Sequence, residues 1–253
     1  MGTLAWISAA TVAGGVLSLA LAALVAFSAR ASWVPMLVSF AIGALLGAAF
    51  LELLPDAFAN ATSVRGVAAT VLGGILAFFV LEKLVLWRHY HLGEDEHEEE
   101  QLGDQGRSGI LILIGDSFHN FVDGILLAAA FLQSTELGIV ASAAVIAHEI
   151  PQEMGDFVIL LHSGFAKRTA LALNAVSGLA MLAGGVLGYF ALQMMVQWVN
   201  SMIAIAAASM IYIAVADLIP GLHKRTELYA TVQQVVLIAL GVAAIWAVGE
   251  LTH

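Results

Sequence analysis

Cysteine is absent from the chain. Disulfides, thiolate metal ligands and thiol chemistry are therefore excluded. Charge is scarce as well: Asp, Glu, Lys and Arg make up 11% of the 253 residues, against roughly 25% in an ordinary soluble domain. The 9 Lys and Arg residues are scattered, so no basic stripe suggests a nucleic-acid partner. No phosphate-cradling glycine loop occurs, which disfavours an ATP-driven pump. Sizeable polar stretches are also missing, with one exception at 89–107.

What is present is apolar length. Hydrophobic residues make up 61% of the chain. They gather into eight segments at about 4–27, 34–56, 66–87, 109–132, 137–161, 169–195, 201–221 and 229–250. Each reaches the roughly 20 residues that cross a bilayer as a helix. The expectation is an all-α membrane protein of eight transmembrane helices, with 1–253 as one transmembrane domain. The first segment is too long for a cleavable signal peptide and lacks its basic start. Arg30 falls in the first loop, Lys83, Arg88 and Arg107 in or beside the third, Lys167 and Arg168 in the fifth, and Lys224 and Arg225 in the seventh. Arg65 alone falls in an even loop. Basic residues favour the cytoplasmic side, so the odd loops face the cytoplasm and both termini lie outside an inner or plasma membrane.

Polar residues inside such segments need a reason, since a charge in a spanning helix costs roughly 2.5–3.5 kcal/mol on insertion scales. The fifth segment has His148, Glu149, Gln152, Glu153 and Asp156 around Pro151. His148, Gln152 and Asp156 share one helical stripe, and Glu149 and Glu153 a second. The fourth has Asp116, His119, Asn120 and Asp123, with His119 and Asp123 one turn apart. Glu52 and Asp56 lie near the outer end of the second segment, as an interfacial helix end or an entrance for cations. Asn174 and Ser177 sit one turn apart in the sixth, where an interhelical hydrogen bond is the plain reading. Asp217-Leu218-Ile219-Pro220 in the seventh echoes Glu52-Leu53-Leu54-Pro55 in the second. The loop at 89–107 carries His89, His91 and His97 among acidic residues. Its composition predicts disorder, as either a solvated connector or a weak chelator of divalent ions. His162 closes the fifth segment as an interfacial residue or an exit contact.

Imidazole and carboxylate suit zinc, iron(II), manganese and cadmium better than copper(I), which favours sulfur. Two adjacent helices that each offer His with an acid or amide can enclose a cation between them. A proton relay, as in a proton-coupled carrier of another substrate, uses similar residues. So does a polar network that only locks helices together. His148-Glu149 also opens like the His-Glu-x-x-His helix of zinc hydrolases, but Gln152 stands where the second His would be. An intramembrane zinc-dependent hydrolase is thus a rival reading.

At these residues the sequence resembles the ZIP (Zrt/Irt-like) family of metal transporters. The resemblance rests on His119-Asn120-Phe121-Val122-Asp123-Gly124 and on His148-Glu149-Ile150-Pro151-Gln152-Glu153-Met154-Gly155-Asp156. The second is similar to that family's His-Glu-x-Pro-x-Glu signature, and the order of spans and the third loop agree. The resemblance implies a homodimeric importer of divalent metal ions, not an enzyme, with zinc (or iron, manganese, cadmium) as substrate and no catalytic cofactor. It implies a bundle with spans four and five central, and spans one to three and six to eight related by an inverted repeat. By position, His119, Asp123, His148 and Gln152 line a first metal site. Asn120, Asp123, Glu149 and Gln152 or Glu153 line a second, completed by Asn174 or Ser177, with Asp116 as a gate or relay. Gln152 departs from the Glu or His of many members, which leaves the preferred metal open, and Val122 departs from the Pro of several, which implies a straighter fourth span.

Overall fold

The computed structural model describes residues 2–28, 34–91, 107–223 and 227–252, and among these every regular element is helical. Four long helices occupy the first, third, sixth and eighth apolar segments: α1 (Thr3–Ser28), α4 (Val64–His91), α7 (Lys167–Met194) and α10 (Leu228–Thr252). The fourth and fifth segments lie on α5 (Arg107–Gln133) and α6 (Thr135–His162). The second and seventh are built differently. Helix α2 (Val34–Gly47) passes through a π turn (Ala48–Leu53) into α3 (Leu54–Ala59), and α8 (Val199–Tyr212) passes through a π turn (Ile213–Leu218) into α9 (Ile219–Leu222).

The two π turns match residue for residue. Each is 6 residues long, and Pro55 or Pro220 follows in the first turn of the next helix. Leu54 N–H bonds back to the Ala49 carbonyl, and Ile219 N–H to the Ala214 carbonyl. A proline inside an ordinary helix clashes with the carbonyl four residues earlier. Widening the preceding turn moves that carbonyl aside. Glu52-Leu53-Leu54-Pro55 and Asp217-Leu218-Ile219-Pro220 thus mark the same backbone device in two halves of the chain.

The packing repeats with it. Helix α5 packs on α7 as α6 packs on α1; α2 on α10 as α8 on α4; α2 on α6 as α8 on α5. Helices α5 and α6 are the shared middle, packed on each other. Two crossings bring backbones into direct contact. A Cβ on Gly124 would strike the Met181 carbonyl, and one on Gly184 the Phe121 carbonyl, between α5 and α7. Gly43 and Gly241 meet Ile238 and Phe40 in the same way between α2 and α10. Such small-residue contacts are how helices associate where no hydrophobic drive separates them from lipid.

Among the described residues, six helical stretches are long and apolar enough to cross a membrane, and large apolar side chains such as Leu72, Leu76 and Phe79 on α4 and Val232, Val236 and Leu240 on α10 face outward. This is an all-helical membrane protein. Helices α5 and α6 match the others in length but carry the polar clusters. Ser134 alone joins them, and its Oγ accepts the Leu137 N–H at 3.0 Å as an N-cap. One residue of connection forces the two helices to run side by side in opposite directions. The far end of α6 closes on Gly164, whose φ of 87° suits a residue without a Cβ. Phe165 N–H reaches the Leu160 carbonyl and Gly164 N–H that of Leu161, the paired bonds of a Schellman cap.

Candidate metal centre

The antiparallel pair α5 and α6 brings His119, Asp123, His148 and Glu149 together, one ligand atom from each lying within 4.8 Å of all the others. The two His Nε2 atoms are 3.3 Å apart. Asp123 Oδ2 lies 3.6 Å from His119 Nε2 and 3.2 Å from His148 Nε2. Glu149 Oε1 lies 3.8 Å and 3.6 Å from the same nitrogens. Zinc bonds to imidazole and carboxylate are about 2.0–2.2 Å, so neighbouring ligands of a tetrahedral zinc stand roughly 3.3–3.5 Å apart. Five of the six edges of that tetrahedron are close to this length before any ion enters.

The local chemistry prepares the ligands. His148 Nδ1 is 3.2 Å from the Ala144 carbonyl one turn back. A carbonyl only accepts, so Nδ1 carries the proton and the Nε2 lone pair turns to the cluster. His148, Asp123 and Glu149 are buried, whereas the His119 side chain keeps 22% of its surface exposed and is the open side of the site. On the side toward the C-terminal half of α5, Asp123 and His148 border a cavity of about 10 Å³ with Ser209 of α8. Apolar residues of α5, α6 and α8, among them Leu127, Val145 and Met210, form most of the rest of its wall. That is room for about one water behind an apolar seal. Nothing in the one-dimensional pattern singled out Ser209 for this place, because a lone serine in a spanning helix usually bonds within it.

The other expected residues fall into three groups. Gln152 turns its amide nitrogen to a neighbouring network: its Nε2 donates to Asp116 Oδ1 at 2.9 Å. Asp116 also accepts from Asn120 Nδ2 at 3.2 Å and from the Ser177 hydroxyl in a close contact. One carboxylate therefore ties α5, α6 and α7. Next to this network, Asn174 Nδ2 donates to the Glu153 carbonyl at 3.0 Å, and its amide lies beside the Glu153 carboxyl. Asn120 Oδ1, Asp123 Oδ2, Glu149 Oε1, Glu153 Oε2 and Asn174 Oδ1 are buried oxygens with no hydrogen-bond partner among the described residues. A bound cation would satisfy such acceptors.

Glu52 and Asp56 are not brought to this cluster. The Glu52 carboxylate lies against Gly249 of α10, and Asp56 accepts from Asn60 Nδ2 at 3.1 Å on α3. The histidines expected at the exit cannot be joined to the site. His97 lies outside the described residues, and so do the side chains of His89, His91 and His162, although their backbones end α4 and α6.

With this geometry in hand, comparison with known proteins is direct. The ZIP zinc transporter family model matches residues 87–249, which include both motifs. The chain belongs to the ZIP family. It is 30% identical to the zinc transporter YKE4 of Saccharomyces cerevisiae over 252 residues, 85% of this chain and 70% of that protein. It is 34% identical to zinc transporter ZIP13 of Pongo abelii over 227 residues, 81% of this chain and 64% of that protein. With zinc transporter zipt-7.2 of Caenorhabditis elegans the identity is 29% over 262 residues, 82% of this chain and 56% of that protein. The chain thus spans less than two thirds of the length of the last two.

Proposed function

We propose that this ZIP protein carries divalent transition-metal ions, zinc foremost and iron, manganese or cadmium as further cargo, across an inner or plasma membrane into the cytoplasm. The observation that carries this reading is the near-tetrahedral set of His119, Asp123, His148 and Glu149, inside a bundle whose other polar groups leave only acceptors unpaired. The names of the relatives, all zinc transporters, agree with it.

The ion approaches past Glu52 or Asp56, both termini being outside. It sheds water onto the four ligands and leaves on the exposed side of His119 toward the 89–107 loop, with His162 and the loop histidines as exit contacts. Asn120, Gln152, Glu153, Asn174 and Ser177 offer oxygen contacts next to the first position. Metal is cargo here, and no catalytic cofactor is involved. A homodimer is the assembly, through the apolar outer faces.

A hydrolase reading needs Glu149 free as a general base beside a metal-bound water. Its carboxylate instead lies 3.6 Å and 3.8 Å from the two imidazole nitrogens, as a ligand would. The deciding test is uptake of radioactive zinc into liposomes containing the purified full chain, with His148→Ala beside it. Uptake that depends on His148 supports the transporter. Turnover of a lipid or peptide with no net zinc flux overturns it.

A further inference from the structure

We propose that Asp116 is a positioning residue: it holds the Gln152 amide, and with its own backbone the Asn120 amide, so that their carbonyl oxygens are presented to the ion. This rests on the metal-binding reading above and gives Asp116 a role distinct from that of a ligand or gate.

A side-chain amide has a donor end and an acceptor end, and its partners decide which way it turns. For Asn120 the partners are two acceptors on one residue, the Asp116 backbone carbonyl and Oδ1, both at 3.2 Å from Nδ2. The nitrogen must face them. Its oxygen is then turned away, fully buried and without a donor. For Gln152 the Asp116 carboxylate at 2.9 Å is the side-chain acceptor that takes Nε2, so Oε1 points away from Asp116. Ser177 donates to the other carboxylate oxygen and holds it in plane between the helices.

Position supplies the rest. Asn120 directly follows His119, and Gln152 is one turn beyond His148. Gln152 lies toward the His162 end of α6 from the cluster, and Asn120 stands between the two α5 ligands, His119 and Asp123. A cation released by the imidazoles would then have two neutral carbonyl oxygens to pass to. They are weaker ligands than carboxylates, which favours passing the ion on over trapping it. Asp116 contributes through them without touching the ion, being already engaged by three donors.

The test is zinc titration calorimetry on the purified full chain in lipid nanodiscs. Asp116→Leu removes the acceptor and keeps the bulk; it should weaken zinc binding about 10-fold, the scale at which groups that orient metal ligands act. Asp116→Asn keeps one acceptor oxygen and should recover most of that affinity. Gln152→Ala should cost a similar factor, and Asp116→Leu added to Gln152→Ala should cost clearly less than its factor in the wild type, the remainder being what it exerts through Asn120. The proposal is overturned if Asp116→Leu binds zinc within 2-fold of the wild type, or if it costs its full factor again in the Gln152→Ala background. Should Asp116→Leu not fold, an unchanged affinity in Gln152→Ala overturns it equally. Wild-type protein that binds no zinc defeats the metal reading itself, an outcome separate from all of these.

Discussion

His148 has more obligations than any other side chain in the site. Its Nδ1 is fixed by the Ala144 carbonyl, and its Nε2 meets His119, Asp123 and Glu149. His148→Ala should therefore lower zinc affinity by about 100-fold or more, beyond the 10–100-fold typical of supporting groups, while the protein still inserts. Asp123→Ala should do the same, and normal zinc uptake by that variant would remove Asp123 from the site. Acid acts on the same atoms. Protons compete with metal for imidazole nitrogen, so affinity should fall as the solution is made more acid. Zinc titrations at several pH values check the sign; tighter binding in acid would contradict it. At this scale the sequence was informative about faces. Helical spacing grouped His119 with Asp123 and placed Glu149 beside His148. It could not say that Gln152 would turn to Asp116, because a stripe on one helix does not reveal what a third helix, here α7 with Ser177, brings to its neighbours.

Among the elements, the glycine crossings set the tightest constraint. Helices α5 and α7 touch through the backbones at Gly124 and Gly184. Gly184→Leu should force these helices apart, cost more than the roughly 1–3 kcal/mol of ordinary overpacking, and reduce the yield of folded protein in a detergent thermal-stability assay. Gly73, whose Cβ would meet nothing within 4 Å, is the control and should tolerate Ala. The helices themselves were legible from apolar length and from the punctuation between them. The π turns were not, because widening a helix by one residue leaves the hydrophobic pattern unbroken. Their only trace was the repeated acid-Leu-aliphatic-Pro sequence ending at Pro55 and Pro220, which marks where proline required the change. The family resemblance implied a repeat between the halves, but which helices exchange partners is a property of contacts and needed the structure.

For the molecule as a whole, the four clustered ligands all lie on the described helices α5 and α6, and deleting 92–102 should leave zinc uptake within about 2-fold, the spread of ordinary surface changes. Loss of uptake on that deletion would assign the segment a direct part in transport. With α1 paired to α7, α2 to α8, α4 to α10 and α5 to α6, the main helix packings of one half recur in the other, as α5 on α7 and α6 on α1 do. A structure of that kind can offer two arrangements of similar energy, one open to each side of the membrane, as inverted repeats do in other carriers.

The surplus of buried acceptors has a consequence for the direction of the cycle. When the ion departs, the Asp123 and Glu149 carboxylates are left facing each other across two imidazoles, away from water, and a buried charge that loses its counterion is costly. The empty protein is then the reluctant traveller. Reorientation with cargo should outpace reorientation without it, so zinc preloaded inside liposomes should accelerate entry of labelled zinc from outside. Equal rates with and without internal zinc would show that the vacant site crosses as readily as the filled one.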